Sequence, residues 1–79
     1  MKVVICDDDP NQRDSIRVCL ETTAGRNEIT EFELGSDALD YFKTGEADLM
    51  FLDMGLPDIH GLEVLKQLRT HSDVPVIVV

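Results

Sequence analysis

Short apolar runs alternate along this chain with segments whose apolar residues recur at helical spacing. Lys2–Cys6 carries Val3, Val4 and Ile5 in succession and reads as a buried strand. Asp9-Pro10 marks a helix start, because Asp can cap and Pro fits the first helical position, where its missing N–H would be unpaired anyway. Ile16, Cys19 and Leu20 place an apolar stripe on that helix, and Gly25-Arg26-Asn27 breaks it. Residues 29–34 form a weaker strand, with Thr30, Phe32 and Leu34 alternating against Glu31 and Glu33.

Gly35-Ser36 opens a second helix carrying Ala38, Leu39 and Phe42, which ends at Thr44-Gly45. Residues 48–52 form the next buried strand, with Met50 and Phe51 as packing residues. Leu56-Pro57-Asp58 is a turn. Gly61 precedes a third helix with Leu62, Leu65 and Leu68 toward the core, and Asp73 and Pro75 lead into a last strand over 76–79. The order is βαβαβαβ, which predicts an α/β fold: a doubly wound parallel sheet with helices on both faces.

Composition narrows the possibilities. With 79 residues there is room for one small domain, and 43% hydrophobic with 29% charged residues is ordinary for a soluble protein. The net charge of −9 argues against direct nucleic-acid binding by this segment and suits a cation or a basic partner. No stretch approaches membrane-spanning length and no secretory leader is evident, so a cytoplasmic location is expected, with Cys6 and Cys19 as reduced, buried thiols.

The acids matter most. Asp7, Asp8 and Asp53 follow apolar strands, and in doubly wound sheets chemistry gathers at carboxyl strand ends near the point where strand order reverses. If the order begins 2-1-3, the three carboxylates converge. Crowded carboxylates must take up protons or share a cation, and Mg²⁺ is the usual hard ion beside a phosphoryl group. Asp53 would then serve as a nucleophile forming an acyl phosphate. Asp9 reads instead as a cap or an exposed acid. His60 reads as a solvent-facing loop residue, since Mg²⁺ prefers oxygen, and His71 as a favourable contact for a helix C-terminus.

"VVICDDDPNQR" and "LMFLDMGLPDIHGLEVLKQLR" resemble the receiver domain of bacterial two-component response regulators. An acidic pair after the first strand and an Asp-x-x-Leu-Pro-x-x-x-Gly pattern after the third carry the resemblance. It implies a flavodoxin-like receiver fold in which Asp53 accepts a phosphoryl group from a sensor histidine kinase or phosphotransfer protein. It further implies that Asp7 and Asp8 position Mg²⁺, with Asp8 the more direct ligand. Gly55 would add its backbone carbonyl, and Pro57 and Gly61 would shape the site loop. Such a domain is a phosphoacceptor that assists its own modification and switches an output, rather than a metabolic enzyme.

In that family a Ser or Thr follows the fourth strand and a Lys ends the fifth, and neither has a counterpart here. Lys43 and Lys66 lie on helices and do not fill the role. Residues 1–79 are therefore expected to be the N-terminal part of a single receiver domain, a fragment lacking the fifth strand and last two helices. Its exposed 75–79 edge strand, or an uncovered sheet face, is expected to drive homo-oligomer formation. Two alternatives compete: a self-associating structural module, and a haloacid-dehalogenase-type phosphotransferase using Asp7 and Asp9. Pro10-Asn11 departs from the continuation the latter wants.

Overall fold

The computed structural model describes residues 1–23 and 25–79, with Thr23 described through its backbone alone. Among these residues four strands and three helices alternate: β1 (Lys2–Cys6), α1 (Pro10–Thr23), β2 (Glu28–Phe32), α2 (Gly35–Thr44), β3 (Leu49–Leu52), α3 (Gly61–Leu68) and β4 (Val76–Val78). All strand pairs are parallel and the sheet order is β2-β1-β3-β4. The chain steps from β1 to β2 on one side, then returns past β1 to β3 on the other. Right-handed crossovers in opposite directions send their helices to opposite faces.

The side chains follow that division. Val3 and Ile5 pack with Ile16 and Leu20 of α1, flanked by Ile29, Leu49 and Phe51. Val4 and Cys6 face the other way, with Met50 and Leu52, onto Ala38, Leu39 and Phe42 of α2 and Val64 and Leu68 of α3. Val3 through Cys6 are therefore all buried, as a central parallel strand covered on both faces requires.

Local chemistry sets the element ends. Asn11 N–H donates to Asp9 Oδ1 at 2.9 Å, so Asp9 caps α1. Past α1, Gly25 takes a left-handed φ of +74°, where a Cβ would be strained. Helix α3 is capped by His60, whose Nδ1 accepts from Leu62 N–H at 3.1 Å. That bond gives the exposed loop histidine a structural role in addition to the expected solvent-facing one. His71 is exposed just beyond the end of α3.

Three packing expectations need correction. Cys19 is exposed, because the buried stripe of α1 is the narrower i, i+4 pair Ile16 and Leu20. Only Cys6 is a buried thiol. Leu62 is 64% exposed, and Val64 takes the core position on α3, since Gly61, Val64 and Leu68 form the inward face and Leu65 lies on its shoulder. Leu34 also points outward, beyond the end of β2 at Phe32.

Candidate functional site

The register of β1 and β3 brings the acids together. Cys6 pairs with Leu52, and the ladder runs one step further: Asp53 N–H donates to Cys6 C=O at 3.0 Å, and Asp7 N–H to Phe32 C=O at 3.0 Å. Asp7 and Asp53 therefore leave adjacent strand ends side by side, and Asp8 follows. One carboxylate oxygen from each of Asp7, Asp8 and Asp53 can be chosen so that all lie within 4.8 Å of one another.

The three acids differ in surroundings. Asp7 is only 3% exposed, Asp53 is half-buried and Asp8 faces solvent. Asp7 Oδ1 accepts Asp9 N–H at 2.9 Å, and Asp53 Oδ1 accepts Gly55 N–H at 2.9 Å. Burial pushes the Asp7 proton affinity above the ordinary carboxylate range; the Asp9 N–H opposes this, and the charges of Asp53 and Asp8 add to the rise. Among the described residues, no lysine or arginine side chain forms an ion pair with these three carboxylates. Lys43 pairs with Asp40 at 3.0 Å instead, and Lys66 lies exposed on α3.

An all-oxygen donor set of crowded, partly buried carboxylates fits a hard divalent cation, which would relieve their mutual repulsion. Gly55 is exposed, and an added Cβ would meet only Asp53 Oδ1 at 3.7 Å, so space does not demand glycine there. The thiol of Cys6 is pushed up to about 12, chiefly by burial and then by the charges of Asp58, Asp7, Asp53 and Asp37. It stays protonated beside the site, directed at Leu34 C=O at 3.6 Å.

The loop from Asp53 to Gly61 is pinned from two sides. Gly61 N–H donates to Met54 C=O at 3.0 Å, and a Cβ at Gly61 would lie 2.5 Å from Met54 Cα and 2.8 Å from Asp53 O. Only glycine fits so close an approach. Pro57 is exposed on the same loop.

The sequence reading gave Asp58 only a place in a turn. Its carboxylate accepts Gly35 N–H and Ser36 N–H, each at 2.9 Å, and so caps α2 from 22–23 residues away. Those backbone bonds, the one from Ser36 foremost, hold the Asp58 carboxyl down at about 2. A signal existed: Leu34 stands at the cap position of α2 and provides no side-chain cap, so an acceptor had to come from elsewhere.

Residues 3–79 match the response regulator receiver domain family. The cyclic di-GMP phosphodiesterase response regulator RpfG of Xanthomonas campestris pv. campestris is 33% identical, over all of this chain and 22% of its own length. Response regulator UvrY of Escherichia coli K12 is 33% identical over 98% of this chain and 36% of its own. Among solved structures, the MaeR response regulator bound to beryllium trifluoride has a TM-score of 0.91 at 30% identity, covering 100% of this chain and 66% of that one. A CheY-like receiver domain from Methanospirillum hungatei has a TM-score of 0.83 at 27% identity, over 98% of this chain and 61% of that one.

The chain thus spans less than two thirds of each of these proteins. The haloacid-dehalogenase alternative gains no support from any of them. A parallel β2-β1-β3-β4 sheet, an acid pair beside a third strand-end acid, and the match over 77 of 79 residues agree: the chain belongs to the response regulator receiver domain family of two-component signalling.

Proposed function

We propose that Asp53 accepts a phosphoryl group from a histidine of a sensor kinase or phosphotransfer protein, at a site that also takes Mg²⁺. The observation that carries this reading is the convergence of Asp7, Asp8 and Asp53 within 4.8 Å at the carboxyl end of the sheet. A carboxylate oxygen of Asp53 forms the new bond to phosphorus. The bond from phosphorus to the donor's imidazole nitrogen breaks, and its electron pair leaves with the imidazole. Gly55 N–H holds Asp53 Oδ1, which leaves Oδ2 as the attacking oxygen.

Asp7, Asp8, Asp53 and the backbone carbonyl of Gly55 are the proposed ligands. When bound, Mg²⁺ supplies positive charge against the phosphoryl oxygens and the crowded acids. Pro57 and Gly61 keep the intervening loop in shape. The role is that of a cytoplasmic signalling switch without substrate turnover of its own, and without direct contact to nucleic acid or membrane. Residues 1–79 form the N-terminal part of one receiver domain in this reading. No helix among the described residues is long and apolar enough to cross a membrane.

Intact mass after incubation with acetyl phosphate and Mg²⁺ tests the assignment. One added phosphoryl group is expected, absent from Asp53→Asn. Uptake retained in that variant would move the acceptor elsewhere.

A second reading concerns association. β4 is an edge strand whose Ile77 and Val78 are exposed, as is Val79 just beyond it. On the α1 face, Ser15, Ile16, Cys19, Leu20 and Phe51 line an apolar depression of about 210 Å³. Unpaired strand edges and apolar patches favour pairing between copies. Sedimentation velocity should show the weight-average mass rising with concentration, and a monomer throughout would exclude self-association by this chain.

A further inference from the structure

β2 ends one residue before the acid pair begins. Its last carbonyl, that of Phe32, accepts Asp7 N–H, but with β2 ending there no backbone N–H among the described residues bonds the carbonyl of Asp7 itself. Arg13, on α1, supplies the missing partner: its Nη1 donates to Asp7 C=O at 2.6 Å. The rest of the guanidinium is anchored. Nε donates to Glu31 Oε1 at 3.1 Å, and Nη2 lies 3.6 Å from Glu33 Oε1. Glu31 is held in turn by Arg17, which also reaches Asp14 at 2.6 Å. The Arg13 side chain is 13% exposed, so the fork is held in place by packing as well as by charge.

We propose that Arg13 is a positioning residue for the acid cluster, fixing the Asp7–Asp8 peptide and thereby the direction in which the Asp8 carboxylate meets Asp7 and Asp53. The inference rests on the cation and phosphoryl reading of that cluster. A peptide unit is planar, so holding the Asp7 carbonyl also fixes the Asp8 N–H and Cα. A short, charge-assisted bond is well suited to hold it. Lysine could not do the same, because one ammonium cannot reproduce a fork that bonds a carbonyl with one arm and a carboxylate with another.

Direction and field make opposite predictions. Arg13 is a cation near a proposed cation site. Through its field alone, removing it would strengthen Mg²⁺ binding. Its charge is, however, already matched: Arg13 and Arg17 stand among Asp14, Glu31 and Glu33. If Arg13 works by position, its removal weakens binding instead. Loss of a group that orients a metal ligand characteristically costs on the order of 10-fold in affinity.

The test is a calorimetric Mg²⁺ titration of the full chain, its Arg13→Met variant and its Arg13→Lys variant, with thermal midpoints measured beside them. Mg²⁺ dissociation constants on the order of 10-fold higher in Arg13→Met are expected, with Arg13→Lys between it and the unsubstituted chain. A lowered midpoint with unchanged Mg²⁺ affinity would reduce Arg13 to a structural residue and overturn the inference. Tighter binding would overturn it in favour of a field effect. Should Arg13→Met fail to fold, Arg13→Lys decides alone: it keeps the charge, so weaker binding supports positioning and unchanged binding refutes it. No Mg²⁺ binding by the unsubstituted chain would instead bring down the reading of the acid cluster, and this inference with it.

Discussion

The two ends of this sheet both carry acids, yet only one concentrates them. At the amino end, Met1, Lys2, Arg26, Asn27, Glu28, Glu46, Ala47 and Asp48 line a hollow of about 650 Å³. There two of the charged groups are bonded to backbone: the backbone Lys2 N–H donates to Asp48 Oδ2 at 2.7 Å, and the terminal ammonium of Met1 to Arg26 C=O at 3.2 Å. Cationic and anionic residues both line it, so charge of one sign does not accumulate there. At the carboxyl end, Asp7, Asp8 and Asp53 stand together without a lysine or arginine partner among the described residues, and one of them is buried. The hollow at the amino end is therefore not the better site. Uncompensated charge held by rigid strands is the more telling feature, because its repulsion has to be met by a proton or a cation.

The contrast can be broken at its strongest point. Asp53→Asn should abolish phosphoryl uptake, while any substitution at the amino end should leave it intact. Next in size, Gly61→Ala forces a Cβ to within 2.5 Å of Met54 Cα and 2.8 Å of Asp53 O. Overpacking of that kind costs about 1–3 kcal/mol. The displaced backbone also carries the acceptor, so urea unfolding should show reduced stability together with weaker Mg²⁺ binding. Lost stability with full Mg²⁺ affinity would mean that the loop is not part of the site.

Asp58 offers a smaller, pH-dependent effect. Its carboxyl is held at about 2, below the ordinary value, by Ser36 N–H and Gly35 N–H. A group whose folded value is depressed stabilises above its unfolded value and loses that contribution as pH falls through the folded one. The tie between the site loop and α2 should therefore be complete above about pH 4 and fade toward about pH 2. Thermal midpoints followed over that range should fall more steeply in the unsubstituted chain than in Asp58→Asn. Parallel curves would show that the tie contributes nothing. Smallest of all, Asp48→Asn weakens one surface bond, with a cost under about 1 kcal/mol. Mg²⁺ affinity should not change, and a loss of affinity there would undo the contrast between the two ends.

Much of this was legible in the chain because it is written locally. Val3-Val4-Ile5 and Met50-Phe51-Leu52 announce strands, Ala38, Leu39 and Phe42 are buried as their spacing predicts, and Asp9 caps the helix it precedes. The acids at the strand ends follow from the βα alternation and the 2-1-3 order, which the sheet adopts. What escaped depends on contacts between distant residues. Asp58 caps a helix more than twenty residues earlier, and Arg13 completes a ladder that β2 leaves short. Neither leaves a mark in hydrophobic period. The mistaken orientation of Leu62 has another cause: three leucines at spacing three look like a face, but helix α3 settles with Gly61 against Met54, which turns Val64 inward.

The most direct test of the central claim is an amide NMR titration of the chain with Mg²⁺. The largest shifts should fall on Asp7, Asp8, Asp53 and Gly55, with Lys2, Glu28 and Asp48 unmoved. Shifts concentrated at the amino-end hollow, or spread evenly over exposed acids, would contradict the assignment of the carboxyl-end cluster as the cation site.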